Sequence, residues 1–132
     1  MYRDENGSAK KRVLLVDDEV GYTDLVRINL EDTEDYEVCC ENDPERALNT
    51  ALRFHPDIVF MDIVMPGKDG GDVAFSFKQN PELKSVPLVI VTALLDSRET
   101  NDEVIMNEDG QQMIGKPVRT STLCDCIARN LC

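Results

Sequence analysis

Short apolar runs rich in β-branched residues alternate along this chain with segments that have helical spacing. The runs lie near residues 13–17, 36–40, 57–62, 86–91 and 111–115. Strands that alternate with helices in this way build a parallel sheet, because each helical crossover returns the chain to the same edge before the next strand begins. The sequence therefore predicts an α/β fold with a five-stranded parallel sheet and helices on both faces.

Helix signals separate the apolar runs. Asp43 followed by Pro44 has the residue types of an N-cap and a first helical position. A third helix is expected over residues 72–78, and Asp96 with Glu99 resembles a capping box that predicts a fourth. The predicted apolar stripes are Tyr22, Leu25, Val26 and Leu30 in the first helix, Ala47, Leu48, Ala51 and Leu52 in the second, and Leu123, Ile127, Ala128 and Leu131 in the fifth.

Composition limits the location and the partners. The 132 residues suffice for one domain, and the formal net charge of −12 argues against binding to nucleic acid or to anionic membranes. Residues 1–11 are predicted to form a flexible tail before a domain at 12–132, and they lack the apolar region of a signal peptide. The five cysteines have no zinc or redox spacing, which favours free, mostly buried thiols in the cytoplasm. No apolar run approaches the length of a membrane span.

Acidic, hydroxyl and amine side chains follow the predicted strands at their carboxyl ends. Asp62 ends a buried apolar run and begins a turn rich in proline and glycine. Asp17 and Asp18 follow the first run, Thr92 follows the fourth and Lys116 follows the fifth. Because the carboxyl ends of parallel strands share one edge, where such sheets bind ligands, we expect these side chains to form one site.

Carboxylates crowded at one sheet edge repel one another and need a cation. Their oxygens are hard ligands, which favours Mg²⁺, with Mn²⁺ as an alternative, over Zn²⁺. The amine of Lys116 and the hydroxyl of Thr92 would suit the oxygens of a phosphoryl group. One carboxylate would then be free to attack phosphorus and form an acyl phosphate. These residue types therefore point to metal-assisted phosphoryl transfer to an aspartate.

The order and spacing of these motifs resemble the receiver domain of two-component response regulators. The resemblance covers about residues 12–131 and is carried by VDDE at 16–19, MDIVMPGKDG at 61–70, VTA at 91–93 and KP at 116–117. It implies the flavodoxin-like (βα)5 fold of that family. It also implies a signalling switch whose Asp62 accepts a phosphoryl group from a sensor histidine kinase or a histidine phosphotransfer protein, in a Mg²⁺-dependent reaction.

The resemblance assigns the metal ligands as well. Asp18 matches the acid that binds Mg²⁺ directly, and Asp17 matches the acid that helps, partly through water. Asp62 and the backbone carbonyl of Val64 complete the implied metal site. The chain is expected to assist its own phosphorylation and dephosphorylation without turning over a free substrate, so we do not predict an enzyme.

The resemblance further implies how the phosphoryl group is held and read. Thr92 matches the hydroxyl that turns toward the phosphoryl group, Lys116 matches the amine that pairs with it, and the Lys116–Pro117 peptide bond is expected to be cis. Met113 stands where the family usually has an aromatic switch residue, so the usual ring is missing from the relay. That relay leads to the face made by the predicted fourth helix, fifth strand and fifth helix, where a downstream partner or an output domain is expected.

Two aliphatic residues bear on the lifetime of the phosphoryl group. Val64 and Leu94 lie two positions after Asp62 and Thr92, where the family tunes the rate at which the group is lost. Their apolar side chains predict restricted access for water. We therefore expect a long-lived phosphoryl group, and a half-life of seconds would contradict this expectation.

Two other functions are open at this point. A receiver-like scaffold that binds partners without phosphorylation is favoured by Met113 and disfavoured by the complete set of acids and lysine. A phosphatase of the haloacid dehalogenase type also forms an aspartyl phosphate. However, the tandem Asp17 and Asp18 lack the Asp-x-Asp spacing of that class, and the chain is short for a substrate cap.

Overall fold

The computed structural model describes residues 10–64, 70–96, 103–107 and 110–131. The strands are β1 (Lys11–Val16), β2 (Tyr36–Glu41), β3 (Ile58–Met61), β4 (Leu88–Asp96), β5 (Ile105–Met106) and β6 (Gln112–Lys116). The α-helices of these residues are α1 (Val20–Glu31), α2 (Ala47–Phe54), α3 (Gly70–Gln79) and α4 (Thr120–Leu131), and a 3₁₀ turn covers Pro44–Arg46. Residues 1–9 of the predicted tail lie outside the described residues, and β1 begins at Lys11.

The strands form one six-stranded sheet in the order β2-β1-β3-β4-β6-β5. β1 pairs with β2 and β3, β3 with β4, and β4 with β6, all in parallel, so the predicted five-stranded parallel sheet is confirmed. β5 is an addition, because it pairs with β6 in the antiparallel direction. It was absent from the sequence prediction because a strand of two residues is shorter than the pattern of about four that marks a strand.

Alternate residues of the strands enter two cores, one on each face of the sheet. In β1, Val13 and Leu15 pack with residues of α1 and α4, whereas Leu14 and Val16 pack with residues of α2 and α3. The other strands continue this alternation, because successive side chains of a strand point to opposite faces. We refer to these as the α1/α4 core and the α2/α3 core. Helices therefore cover both faces, as the sequence predicts.

The apolar stripe predicted for α1 is only partly correct. Val26 and Leu30 are buried, but Leu25 leaves 59% of its surface exposed, and Thr23 is fully buried. Successive helical residues point about 100° apart, so an arc centred on Thr23, Val26 and Leu30 leaves Leu25 to one side. Thr23 can be buried because its hydroxyl donates a hydrogen bond to the carbonyl oxygen of Val20 at 3.1 Å.

Helix starts follow the sequence signals less closely than the strands do. The Asp43 side chain accepts a hydrogen bond from the N–H of Glu45 at 3.0 Å, as an N-cap should, but the turn that it caps is 3₁₀ and α2 begins at Ala47. Asp96 is the last residue of β4 and pairs with β6, and the helix that it is predicted to cap would begin within residues 97–102, which lie outside the described residues. A local capping pattern carries no information about such long-range pairing. Glu99, the other half of that pattern, lies outside the described residues.

The described cysteines are free thiols. Cys39 packs against the α2/α3 core and Cys40 against the α1/α4 core, as expected for neighbours on one strand, while Cys126 is buried. Across the described ranges we find no helix with both the length and the hydropathy needed to cross a membrane.

Candidate functional site

Three carboxylates meet at the carboxyl ends of β1 and β3. Asp17 and Asp18 follow β1, Asp62 follows β3, and one oxygen from each lies within 4.8 Å of the others. The N–H of Asp62 donates to the carbonyl oxygen of Val16 at 2.9 Å, which continues the strand pairing by one step. Asp17 and Asp62 are only 3% and 5% exposed. The strand order reverses between β1 and β3, which is where open parallel sheets bind ligands.

Lys116 connects two of these carboxylates from the far side of β4. Its Nζ donates to Asp17 Oδ2 at 2.6 Å and to Asp62 Oδ2 at 3.0 Å, and Glu19 Oε1 lies at 3.5 Å. Burial opposes the charge of Lys116, but the hydrogen bonds to Asp17 and Asp62 outweigh burial and raise its pKa. Lys116 therefore stays an ammonium ion at neutral pH. The Lys116–Pro117 peptide bond is cis, as the resemblance implies.

Thr92 lies at the same edge, but its position in β4 places its side chain on the opposite face of the sheet from that of Lys116. Its side chain is fully buried, and its hydroxyl accepts a hydrogen bond from the N–H of Leu94 at 3.2 Å. Ile90, two residues before Thr92, packs in the α2/α3 core, whereas Ile114, two residues before Lys116, packs in the α1/α4 core. The structure thus brings Asp17 and Asp62 into direct contact with Lys116 and leaves the Thr92 hydroxyl bonded to the backbone within β4.

The backbone that follows β3 folds back onto the Asp62 carboxylate. The N–H of Val64 donates to Asp62 Oδ1 at 2.9 Å, an arrangement typical of aspartate in turns. Val64 and Leu94 leave 54% and 71% of their surfaces exposed, so both are surface residues at this edge. The proline-glycine turn predicted after Asp62 includes residues 65–69, which lie outside the described residues.

Met113 lies at the centre of the β4–β6–β5 edge. It pairs with Ile90 of β4 on one side and with Ile105 of β5 on the other. Its side chain is half-buried against the α2/α3 core. The position where the resemblance leads us to expect an aromatic switch residue is therefore built into strand pairing on both sides.

Asn42, which the sequence prediction missed, ties the acid-bearing loop to α1. Its Nδ2 donates to the carbonyl oxygen of Asp17 at 2.7 Å and to Thr23 Oγ1 at 2.9 Å. The N–H of Glu19 also donates to Asp17 Oδ1 at 3.0 Å. Together these bonds fix the loop between β1 and α1. Asn42 directly follows β2, so the rule that placed the other residues at strand ends could have found it.

Tyr22 is the second residue that the sequence prediction did not place in the site. Its ring centroid lies 4.4 Å from Lys116 Nζ, although its helical spacing predicts only a core position. Burial raises the pKa of Tyr22 to about 12, and the nearby Lys116 charge offsets part of that increase. No sequence signal distinguishes such a contact from ordinary packing, because α1 and β6 are far apart along the chain and come together only in the tertiary structure.

The charges at this edge fit a divalent cation. Burial raises the pKa of Asp17, and the hydrogen bond from Lys116 opposes that increase. One ammonium thus faces the carboxylates of Asp17, Asp18 and Asp62, which leaves an excess of negative charge. The donors are all carboxylate oxygens, the type that Mg²⁺ and Mn²⁺ prefer. The residues present therefore suit the predicted metal.

Comparisons with known sequences agree on one family. A sequence model described as the response regulator receiver domain matches residues 13–128. The response regulator PleD of Caulobacter vibrioides is 40% identical over 83 residues, which are 63% of this chain and 18% of PleD. The matched part is thus less than a fifth of the length of that relative.

Solved structures of similar fold come from several organisms. The chemotaxis protein CheY4 of Vibrio cholerae superimposes with a TM-score of 0.77 at 24% identity, over 93% of this chain and 100% of that one. A response regulator from Desulfuromonas acetoxidans gives 0.71 at 23% identity over 92% and 96% of the two chains. The N-terminal domain of a receiver protein from Methanoculleus marisnigri gives 0.67 at 26% identity over 93% and 98%. With the observed strand order, these similarities show a flavodoxin-like fold.

Proposed function

The chain belongs to the response regulator receiver domain family, and we propose that it is a phosphorylation-controlled switch in a phosphorelay, with Asp62 as its phosphoacceptor. The observation that carries this proposal is the contact of one ammonium with two buried carboxylates at the point where the strand order reverses. Lys116 would bind a phosphoryl oxygen on Asp62 without leaving the site. On this proposal residues 12–132 form the receiver domain.

Asp62 is the carboxylate best placed to take the phosphoryl group. It follows β3, which lies between β1, the strand of the other two acids, and β4, the strand of Thr92. A group bonded to Asp62 would therefore lie between the metal ligands and the residues that bind phosphoryl oxygens. Asp17 is less suitable, because it follows β1, which lies one strand further than β3 from the strand of Thr92.

The proposed reaction moves the phosphoryl group from nitrogen to oxygen. A carboxylate oxygen of Asp62 attacks the phosphorus of a phosphohistidine, the new O–P bond forms, and the N–P bond breaks with the electron pair leaving on the imidazole. Asp18, Asp17, Asp62 and the carbonyl of Val64 would hold Mg²⁺, which when bound supplies charge neutralisation for the phosphoryl oxygens. Lys116 would pair with one of these oxygens, and the hydroxyl of Thr92 would leave the N–H of Leu94 to donate to another.

The donor in this proposal is a sensor histidine kinase or a histidine phosphotransfer protein. The acyl phosphate would bias a two-state equilibrium that a downstream partner or an output domain reads. The chain would act on its own phosphoryl group and turn over no free substrate. The long lifetime predicted from Val64 and Leu94 stays a prediction.

Phosphorylation by acetyl phosphate tests the proposal directly. We expect the wild-type chain to gain one phosphoryl group by intact mass in the presence of Mg²⁺, and to gain none in its absence. The variant Asp62→Asn should gain none in either case. Asp57→Asn is the matched control, because Asp57 precedes β3 at the opposite end of the same strand and binds the N–H of Arg12.

Two outcomes would contradict the proposal in different ways. Absence of any Mg²⁺-dependent adduct would leave the receiver-like scaffold as the better function. An adduct that survives Asp62→Asn would mean that another aspartate is the acceptor.

A further inference from the structure

The Lys116 ammonium has an aromatic neighbour as well as its carboxylate partners. The ring centroid of Tyr22 lies 4.4 Å from Nζ, and the Lys116 side chain is only 11% exposed. An ammonium within about 6 Å of the face of an aromatic ring is attracted by the ring, and the attraction grows where water is excluded. The contact therefore belongs to the stronger class of such interactions.

Lys116 needs a restraint that the carboxylates do not supply. Lysine carries its charge on a flexible four-carbon stem, and here the stem must pass the end of β4 to reach acids that follow β3 and β1. Its bond to Asp17 is shorter than its bond to Asp62, at 2.6 Å against 3.0 Å. Attraction to Asp17 alone would draw the ammonium away from the proposed phosphoacceptor.

Tyr22 is well fixed for such a restraint. It lies in the first turn of α1, directly after the loop that carries the acids, and packs half-buried against the α1/α4 core. Its side chain also lines a small cavity together with Asp17 and Asp62. The ring is thus held by the core on one side and contacts the site on the other.

We propose that Tyr22 is a positioning residue whose ring holds the Lys116 ammonium beside Asp62, both before and after phosphorylation. The inference rests on the proposed role of Asp62 as phosphoacceptor. The ring carries the effect and the hydroxyl does not, because the attraction of an ammonium to an aromatic face requires only the ring. Tyr22→Leu should then impair the site, and Tyr22→Phe should retain it.

The rate of phosphorylation by acetyl phosphate tests this inference. At saturating Mg²⁺ we expect Tyr22→Leu to be phosphorylated about tenfold more slowly than wild type, the factor that corresponds to loss of one partly desolvated cation–π contact. Tyr22→Phe should restore the wild-type rate. Tyr36→Leu is the matched control, because Tyr36 packs against the same core but begins β2, at the opposite end of the sheet.

The Mg²⁺ dependence of the rate separates positioning from general damage. Because Tyr22 acts on Lys116, the Mg²⁺ concentration for half-maximal rate should stay near the wild-type value in Tyr22→Leu. A rise that matches the loss in rate would mean that the acid-bearing loop has been disturbed, and would overturn the inference. Equal rates in wild type and Tyr22→Leu, or an equal loss in Tyr22→Phe, would overturn it as well.

Proton NMR of the unphosphorylated chain provides a readout that does not depend on the proposed function. The methylene protons next to Lys116 Nζ should be shifted upfield by the ring in wild type and Tyr22→Phe, and should return to ordinary lysine positions in Tyr22→Leu or, if that variant does not fold, in Tyr22→Met. Unshifted resonances in wild type would overturn the contact itself. Shifted resonances in a wild-type chain that gains no phosphoryl group would instead reject the role of Asp62.

Discussion

The carboxyl ends of β1 and β3 differ sharply from the β4–β6–β5 edge of the same sheet. At the first region the two buried acids have several partners: Lys116 bonds to Asp17 and Asp62, and Asn42 bonds to the carbonyl oxygen of Asp17. At the second region β4 pairs irregularly with β6 between Thr92 and Asp96, and β5 contributes only two antiparallel residues. The three acids therefore follow regularly paired strands, whereas Thr92 lies at the irregularity and Met113 pairs with the short β5.

Strand position explains this difference. β1 and β3 each have a paired strand on both sides, whereas β5 is an edge strand with a partner on one side only. A central strand can shift its end only if two neighbours shift with it. The site at the centre is therefore expected to be rigid, and the edge is where a change of pairing costs least.

Lys116→Met tests the contacts of the buried acids and has the largest expected effect. The substitution removes the ammonium that pairs with two buried carboxylates, so without Mg²⁺ we expect the free energy of unfolding to fall by about 3 kcal/mol. Urea unfolding of the two chains measures this difference. Lys78→Met is the control, because Lys78 is exposed and donates to the neutral side chain of Gln111. Equal stabilities of Lys116→Met and wild type would show that the contacts contribute nothing.

Asn42→Ala tests whether the loop behind the acids is fixed by side-chain hydrogen bonds. The variant leaves the carbonyl of Asp17 and the hydroxyl of Thr23 without this donor, which should lower the free energy of unfolding by about 2 kcal/mol and weaken Mg²⁺ binding. Urea unfolding and calorimetric titration with Mg²⁺ measure the two effects. Asn49→Ala, at an exposed position of α2, is the matched control. Unchanged Mg²⁺ affinity would mean that the loop does not depend on Asn42.

Met113→Phe tests the edge and has the smallest expected effect. Met113 is half-buried, so the ring should change the free energy of unfolding by less than about 1.5 kcal/mol and leave the rate of phosphorylation unchanged. Phosphorylation should instead change the amide chemical shifts of more residues in β6 and α4 than it does in wild type. A large change in the rate of phosphorylation would show that the β4–β6–β5 edge and the acid site are coupled.

Sequence patterns predicted the regular parts of the molecule and missed those that depend on contacts between distant segments. The alternation of apolar runs is local, and it located the five parallel strands correctly. The rule that parallel strands end at one edge correctly predicted that four residues share one site: Asp17, Asp18, Asp62 and Lys116. Tyr22 does not follow this rule, because it lies within a helix whose rotation is set by packing. Asn42 follows β2 and fits the rule, but the sequence prediction did not apply the rule to it.

The sequence by itself determined the fold class, the strands and the residue types at the strand ends, because these depend on hydrophobic period and on short motifs. The tertiary structure alone decided which groups share the Lys116 ammonium, that the Tyr22 ring contacts it, and that a short antiparallel strand borders Met113. The physical reason is separation along the chain. Lys116 lies far in sequence from Asp17 and Tyr22. Only the side-by-side pairing of β1, β3, β4 and β6 brings the ammonium, the ring and the carboxylates within a few ångströms of one another.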